Sequence, residues 1–182
     1  AITAANLSTI GGLTTGTVTV TNAIAITGSQ SEVTAALITD DTKVSVSDAV
    51  VTINDADTTA LEVTDLSAIG GATTGTVTAS NAIVLTGTQA ELAAALLTDD
   101  TKVVATAANV TVEDAVLISE LAAIDAVIAT VTYATVEDSV ANAATNAGTY
   151  ITGSKTVTLT DADAAAITAA NLSTIGGLTT GT

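Results

Sequence analysis

The sequence predicts an α/β solenoid: stacked coils of about 27 residues whose strands form a parallel β-sheet, with short Ala-rich helices laid against it. Three observations carry this. The chain repeats itself on three length scales, Val/Thr alternations suited to strands are separated by helical apolar stripes, and the bulk of the core comes from Ala, Val, Ile and Leu. An all-β helix with helical inserts is the alternative.

The longest repeat is the plainest. Residues 1–17, AITAANLSTIGGLTTGT, return letter for letter at 166–182, an offset of 165. Within that unit LSTIGGLTTGTVT at Leu7 returns as LSAIGGATTGTVT at Leu66, and a weaker copy, LAAIDAVIATVT, starts at Leu121. Sub-repeats therefore span 7–65, 66–120 and 121–171, and 166–182 opens the next 165-residue unit. The pattern is already under way at Ala1, so residues 1–182 read as one continuous segment of a longer tandem-repeat protein.

Strands are expected at Thr17–Thr21, Val51–Asn54, Thr76–Ala79, Val110–Glu113, Thr130–Tyr133 and Thr156–Thr160, where β-branched residues alternate with period two. Taking Thr19, Thr52, Thr78, Thr111, Thr132 and Thr158 as markers gives six coils per unit, which sets the coil length stated above. Ala23–Thr27 and Lys43–Ser47 offer a second strand in the longer coils. Helices are expected where apolar residues recur at i, i+3, i+4: Val33/Ala36/Leu37, Leu92/Ala95/Leu96, Leu117/Leu121/Ile124/Ile128 and Val136/Val140/Ala143. Ser29-x-x-Glu32, Thr59-x-x-Glu62 and Thr88-x-x-Glu91 read as capping boxes that start helices. Gly11-Gly12, Gly70-Gly71 and Gly176-Gly177 read as helix ends supplying positive φ.

Composition excludes whole classes of chemistry. Cys, His, Met, Pro, Trp, Phe and Arg are all absent, which removes disulfides, Cys/His metal sites, haem ligation, histidine bases and arginine phosphate clamps. Nineteen carboxylates against three lysines leave a net charge of −16, which repels nucleic acid and anionic membranes. Mean hydropathy is +0.60, yet the longest apolar run is Leu92–Leu97, far short of the ~18 residues of a spanning helix.

Two clusters are candidate sites. Asp55, Asp57, Asp114, Asp138, Asp161 and Asp163 fall at strand ends, where stacking would line them along one edge. Carboxylate oxygens there suit Ca²⁺, the one cofactor the pattern would take, and equally suit helix N-termini. Thr17/Thr19, Thr76/Thr78, Thr130/Thr132 and Thr156/Thr158 form Thr-x-Thr pairs that, stacked on one face, resemble the flat threonine arrays of ice-binding β-solenoids and could meet a glycan or an ice surface. Lys43, Lys102 and Lys155 each precede a strand, the first two within Asp-Asp-Thr-Lys, and are expected to pair with nearby carboxylates at the surface.

Segments such as TVTYATVEDSVANAA (130–144) and KTVTLTDADAAAITAANLSTIGGLTTG (155–181) resemble the tandem Val/Thr/Asp/Ala-rich repeats of very long acidic surface proteins of aquatic bacteria, marine cyanobacteria included. That resemblance implies an extracellular or cell-surface, adhesin-like or fibre-forming role with Ca²⁺ sometimes assisting, and it carries no catalytic residues. The expectation is therefore a non-enzymatic structural repeat region whose main partner is itself: further repeats and neighbouring copies of the chain. A Ca²⁺-dependent adhesin or ligand-binding module is the alternative.

Overall fold

The computed structural model describes residues 1–163 and 165–182. β1 (Ile2–Thr3) runs straight into α1 (Ala4–Gly11), and the chain returns through β2 (Val18–Val20) to β3 (Ala25–Gly28), α2 (Gln30–Leu37) and β4 (Val44–Val46). β5 (Val50–Ile53) and β6 (Ala60–Glu62) lead to α3 (Val63–Gly71), β7 (Val77–Ala79), β8 (Val84–Gly87), α4 (Gln89–Leu96) and β9 (Val103–Val104). β10 (Asn109–Val112), α5 (Ile118–Asp125), β11 (Thr130–Thr132), β12 (Thr135–Asp138), α6 (Val140–Thr145), β13 (Thr156–Leu159) and α7 (Ala169–Leu178) follow. All six Val/Thr alternations lie on strands, and the two extra segments are β3 and β4.

Every strand pair among the described residues is parallel, and the strands fall into several sheets rather than one. One sheet runs β1-β3-β5-β7-β9, a second β6-β8-β10-β11, and two pairs, β2-β4 and β12-β13, stand apart. Along the first, Ile2, Ile26, Val51, Val77 and Val103 are register partners, at successive offsets of 24, 25, 26 and 26. Along the second, Leu61, Leu85, Val110 and Val131 are partners, and the last offset shortens to 21. The spacing expected from the Thr markers is thus too long. Those markers mix sheets: Thr52 and Thr78 are true partners, whereas the wide gaps from Thr19 to Thr52 and from Thr78 to Thr111 jump from one sheet to another. Each sheet takes its strands in chain order. In the first, β1 and β3 lead directly into helices, β5 is followed by another strand, and β7 and β9 trail α3 and α4.

Packing follows the alternation. Ile26, Val51, Val77 and Val103 point inward and stack in register, as do Leu85 and Val110, all essentially without solvent exposure. The helices close over them with Leu7, Val33, Leu37, Leu66, Ile69, Leu92, Leu96, Leu121 and Ile124. Full burial of such a side chain contributes about 1.5–3 kcal/mol, and only a neighbouring pass can provide it. The stripe in α5 is Ile118/Leu121/Ile124 rather than one from Leu117 to Ile128: Leu117 is the N-cap and Ile128 lies beyond the helix. Val136 belongs to β12, leaving Val140 and Ala143 as the buried face of α6.

Capping boxes form at Ser29/Glu32 and Thr88/Glu91, with both reciprocal bonds made. Thr59/Glu62 does not form one. Residues 60–62 are drawn into β6 by pairing with β8, so α3 starts at Val63 with Glu62 as an N-cap whose side chain makes no capping bond. The Gly-Gly pairs do mark the ends of α1 and α3, but not through positive φ, since Gly12 has φ −70°. They are there for close approach. Thr42 and Thr101, from the Asp-Asp-Thr-Lys turns, donate their hydroxyls to Ala35 and Ala94 carbonyls, sealing the ends of α2 and α4. Their backbones then press on the neighbouring helix, where a Cβ at Gly11 or Gly70 would stand 2.0 Å from the Thr42 or Thr101 carbonyl oxygen.

This contact separates glycines that helix propensity treats alike. Gly70→Ala should lower stability by ~1–3 kcal/mol through backbone collision. Gly176→Ala, at the matching position of α7 with nothing within 4 Å, should raise it by roughly 0.5–1 kcal/mol. Urea midpoints of the two variants check the opposite signs.

Candidate functional site

Four of the six acidic residues at the strand ends are tied to helix N-termini of the preceding pass. A helix's first N–H groups lack partners and its N-terminal dipole favours negative charge, so a carboxylate there is doubly stabilised. Asp55 Oδ2 accepts from Gln30 N at 2.6 Å, Asp114 Oδ1 from Gln89 N at 2.7 Å and Asp161 Oδ2 from Val140 N at 2.7 Å. Asp138 Oδ2 accepts from Ile118 N at 3.2 Å. In each case the donor is the first residue of α2, α4, α6 or α5, and the acceptor comes from the following pass of the chain. Asp138 is buried and also accepts from Ser139 N and Asn142 Nδ2 at 2.8 and 2.7 Å. Asp57 accepts from Ala82 N at 2.8 Å, joining turn to turn, and Asp163 is exposed. The six carboxylates are spread over successive passes instead of being gathered. Among the described residues no three His, Cys, Asp or Glu side chains are placed to hold a metal ion together.

The Thr-x-Thr pairs are likewise dispersed. Thr17/Thr19 belong to β2 and its approach, Thr76/Thr78 to β7 and its approach, Thr130/Thr132 to β11 and Thr156/Thr158 to β13, which are strands of four different sheets. Of the expected threonines only Thr78 and Thr132 join ladders of stacked threonines: Thr3, Thr27, Thr52 and Thr78 are successive register partners, ended by Val104. Thr86, Thr111 and Thr132 form a second, shorter ladder.

Concavities repeat as well. Two matching clefts of 350 and 470 Å³ sit at the Gly-Gly-x-Thr-Thr-Gly turns, one with Asp40, Asp41 and Lys43 in its wall, the other with Asp99, Asp100 and Lys102. A third, of 310 Å³, lies beside Asp138 and is otherwise lined mainly by Ile118, Ala122, Asn142 and Thr145. Its carboxylate accepts three N–H bonds, from Ile118, Ser139 and Asn142.

Residues 146–155 carry the clearest departure from regular repetition. Asn146, Gly148, Thr149 and Gly153 all have positive φ there. Tyr133 and Tyr150 meet edge to face at 6.3 Å, Tyr133 Oη donates to the Tyr150 carbonyl, and Tyr150 Oη donates to Asp125. Lys155 lies 4.2 Å over the Tyr133 ring and donates to its carbonyl, so this lysine serves a latch and not a carboxylate. Burial pushes both phenols above their ordinary pKa, with Asp125 adding to the shift. Sequence reading also missed Gln30, whose amide brackets the Glu62 backbone by accepting from its N–H and donating to its carbonyl. Its recurrence as Gln89, at the sub-repeat offset, was the available signal.

Comparison with known protein families, curated proteins and solved structures gives no match.

Two outcomes follow from the carboxylate geometry. Asp138→Ala, leaving Ile118 N–H and the Asn142 amide unpaired, should cost about 2–4 kcal/mol in a urea titration, whereas Asp163→Ala should cost almost nothing. Glu91 is held below the usual carboxylate range by the Thr88 backbone N–H and then its hydroxyl. Its contribution is complete above its ordinary pKa of about 4.5 and disappears as pH falls through the lowered folded value. Glu91→Gln should therefore flatten the acid limb of the stability–pH curve.

Proposed function

We propose that the chain is a non-catalytic structural segment, the repeat region of a long extracellular bacterial fibre, surface layer or adhesin shaft, built as one continuous solenoid that associates with copies of itself. The observation that carries this reading is the repetition of one bonding scheme. Parallel register partners recur at similar offsets, a carboxylate of one pass clasps the helix of the pass before, and one cleft recurs at two equivalent turns. Such a scheme specifies length and stiffness. In support of the non-catalytic part of the reading, the buried Asp138 carboxylate accepts N–H bonds from Ile118, Ser139 and Asn142, a capping role at α5 and α6.

A net charge of −16 and a surface rich in Thr suit a hydrated exterior position, and the resemblance to acidic surface-protein repeats points the same way. No helix among the described residues is long and apolar enough to cross a membrane.

Small-angle scattering of chains carrying one and two 165-residue units tests the shaft directly. Strands about 4.8 Å apart predict a gain of roughly 30 Å in length per unit at constant cross-section. Two globules joined flexibly would end the reading. A chelator should leave the melting temperature unchanged; a sharp fall would transfer the conclusion to a Ca²⁺-dependent module, and thermal hysteresis would transfer it to ice binding.

A further inference from the structure

An electron taken from a side chain of this protein has two places to come from. Cys and Met, the readily oxidised sulfur side chains, are absent, as are Trp and His, and Tyr133 and Tyr150 are the only phenols. The fold brings these two together. Tyr133 follows β11, the edge strand of its sheet among the described residues, and Tyr150 lies in the connection from α6 to β13, which pairs with β12 in a sheet apart. The rings meet edge to face, 6.3 Å between centroids and 68° between planes. Both residues are half-buried, which leaves part of each ring open to a small solute.

Each ring is held by its neighbours. Tyr133 Oη donates to the Tyr150 carbonyl at 2.6 Å, tying the tip of one tyrosine to the backbone of the other. Gly148 has φ +82°, and a Cβ there would strike the Tyr150 ring, so this glycine makes room for it. Tyr150 Oη donates to Asp125 Oδ2 at 3.2 Å, and the Lys155 ammonium lies 4.2 Å over the Tyr133 face. Burial is the main reason that both phenols sit above their ordinary pKa, so at neutral pH each gives up an electron together with its proton. Tyr150 has a carboxylate placed to take that proton. Tyr133 has only a carbonyl, and the cation over its face opposes the loss of an electron. Tyr150 is therefore oxidised first.

We propose that Tyr133 and Tyr150 are a modification site, joined by a peroxide-driven one-electron oxidant into an intramolecular dityrosine that closes a covalent loop around β12 and α6. Tyr150 gives up one electron, its proton passing to Asp125, and Tyr133 gives up a second, its proton passing to water. The two phenoxyl radicals pair their electrons in a new bond between ring carbons ortho to the oxygens. Each of those carbons then releases its hydrogen as a proton, and each oxygen regains one. The net loss is two electrons and two protons. Hydrogen peroxide takes up all four to give two waters; persulfate takes the electrons to give two sulfates, and the protons go to solvent. The shift that brings the ring edges into bonding distance falls on Tyr150, whose connection belongs to no helix or strand. The link stands independently of the shaft reading.

Photo-oxidation of the full chain with a ruthenium tris-bipyridyl complex and persulfate tests it. The expected product is a monomer lighter by two hydrogen atoms that gains blue dityrosine fluorescence, in a yield unchanged by dilution. Cleavage after glutamate, with Glu137 between the two tyrosines, should release their peptides still joined. The melting temperature of the linked chain should rise by several degrees, because the loop stays closed in the unfolded state. Asp125→Asn, which leaves both rings in place, should slow linkage about tenfold by removing the proton acceptor. Tyr133→Phe and Tyr150→Phe should each abolish it, and either serves as the control if its circular dichroism matches the parent's. Dimers whose yield falls on dilution, oxygen added to separate tyrosines with no joined peptides, or linkage as fast in Asp125→Asn as in the parent would overturn the proposal.

Discussion

The structure depends on one constraint: no pass of the chain can satisfy its own backbone. Strands of two to four residues have nothing to pair with except the pass before and the pass after, and a buried unpaired N–H or C=O is costly. Parallel pairing fixes direction as well as partner, and each strand must be carried back to its start by a connection, for which a short helix serves. The near-constant register step along the first sheet is the length of that circuit. The carboxylates extend the same dependence to the helices, because Asp55, Asp114, Asp138 and Asp161 each complete a helix that began a pass earlier. No buried side-chain nitrogen or oxygen among the described residues is left without a partner.

Small side chains are the corollary. Helices packed against the helices of neighbouring passes leave little room for bulk between them, and Gly11 and Gly70 show the limit, where the next pass brings a carbonyl to the helix surface. Alanine at positions such as Ala36, Ala95 and Ala143 fills the same layer with a single methyl group. The near-absence of aromatics is therefore a packing result. The two tyrosines meet where the regular circuit breaks, beside the connection from α6 to β13, and pack partly buried against the core.

Much of this was legible in the residues. Period-two Val/Thr segments located strands, the buried faces of α2 and α4 followed their i, i+3, i+4 stripes, and two of three capping boxes formed. What escaped was everything decided between passes. Thr59 and Glu62 have the letters of a capping box, but strand pairing with β8 takes residues 60–62 first. The Asp residues were visible as helix partners, though not which helix, since partner identity depends on register and not on local spacing. The Thr-x-Thr pairs looked like one array because the sequence does not say which sheet a strand joins. Glycine at helix ends suggested a backbone angle, and the actual cause is the Thr42 or Thr101 carbonyl, brought up by the following pass.

The tyrosine latch has an optical consequence. With no tryptophan or phenylalanine anywhere in the chain, Tyr133 and Tyr150 supply all of its near-ultraviolet absorption and intrinsic fluorescence. They lie in one contact at a single place in the chain. Light of that wavelength therefore reports on one irregular corner and is blind to the rest. A long polymer of such units would carry evenly spaced chromophores along its axis.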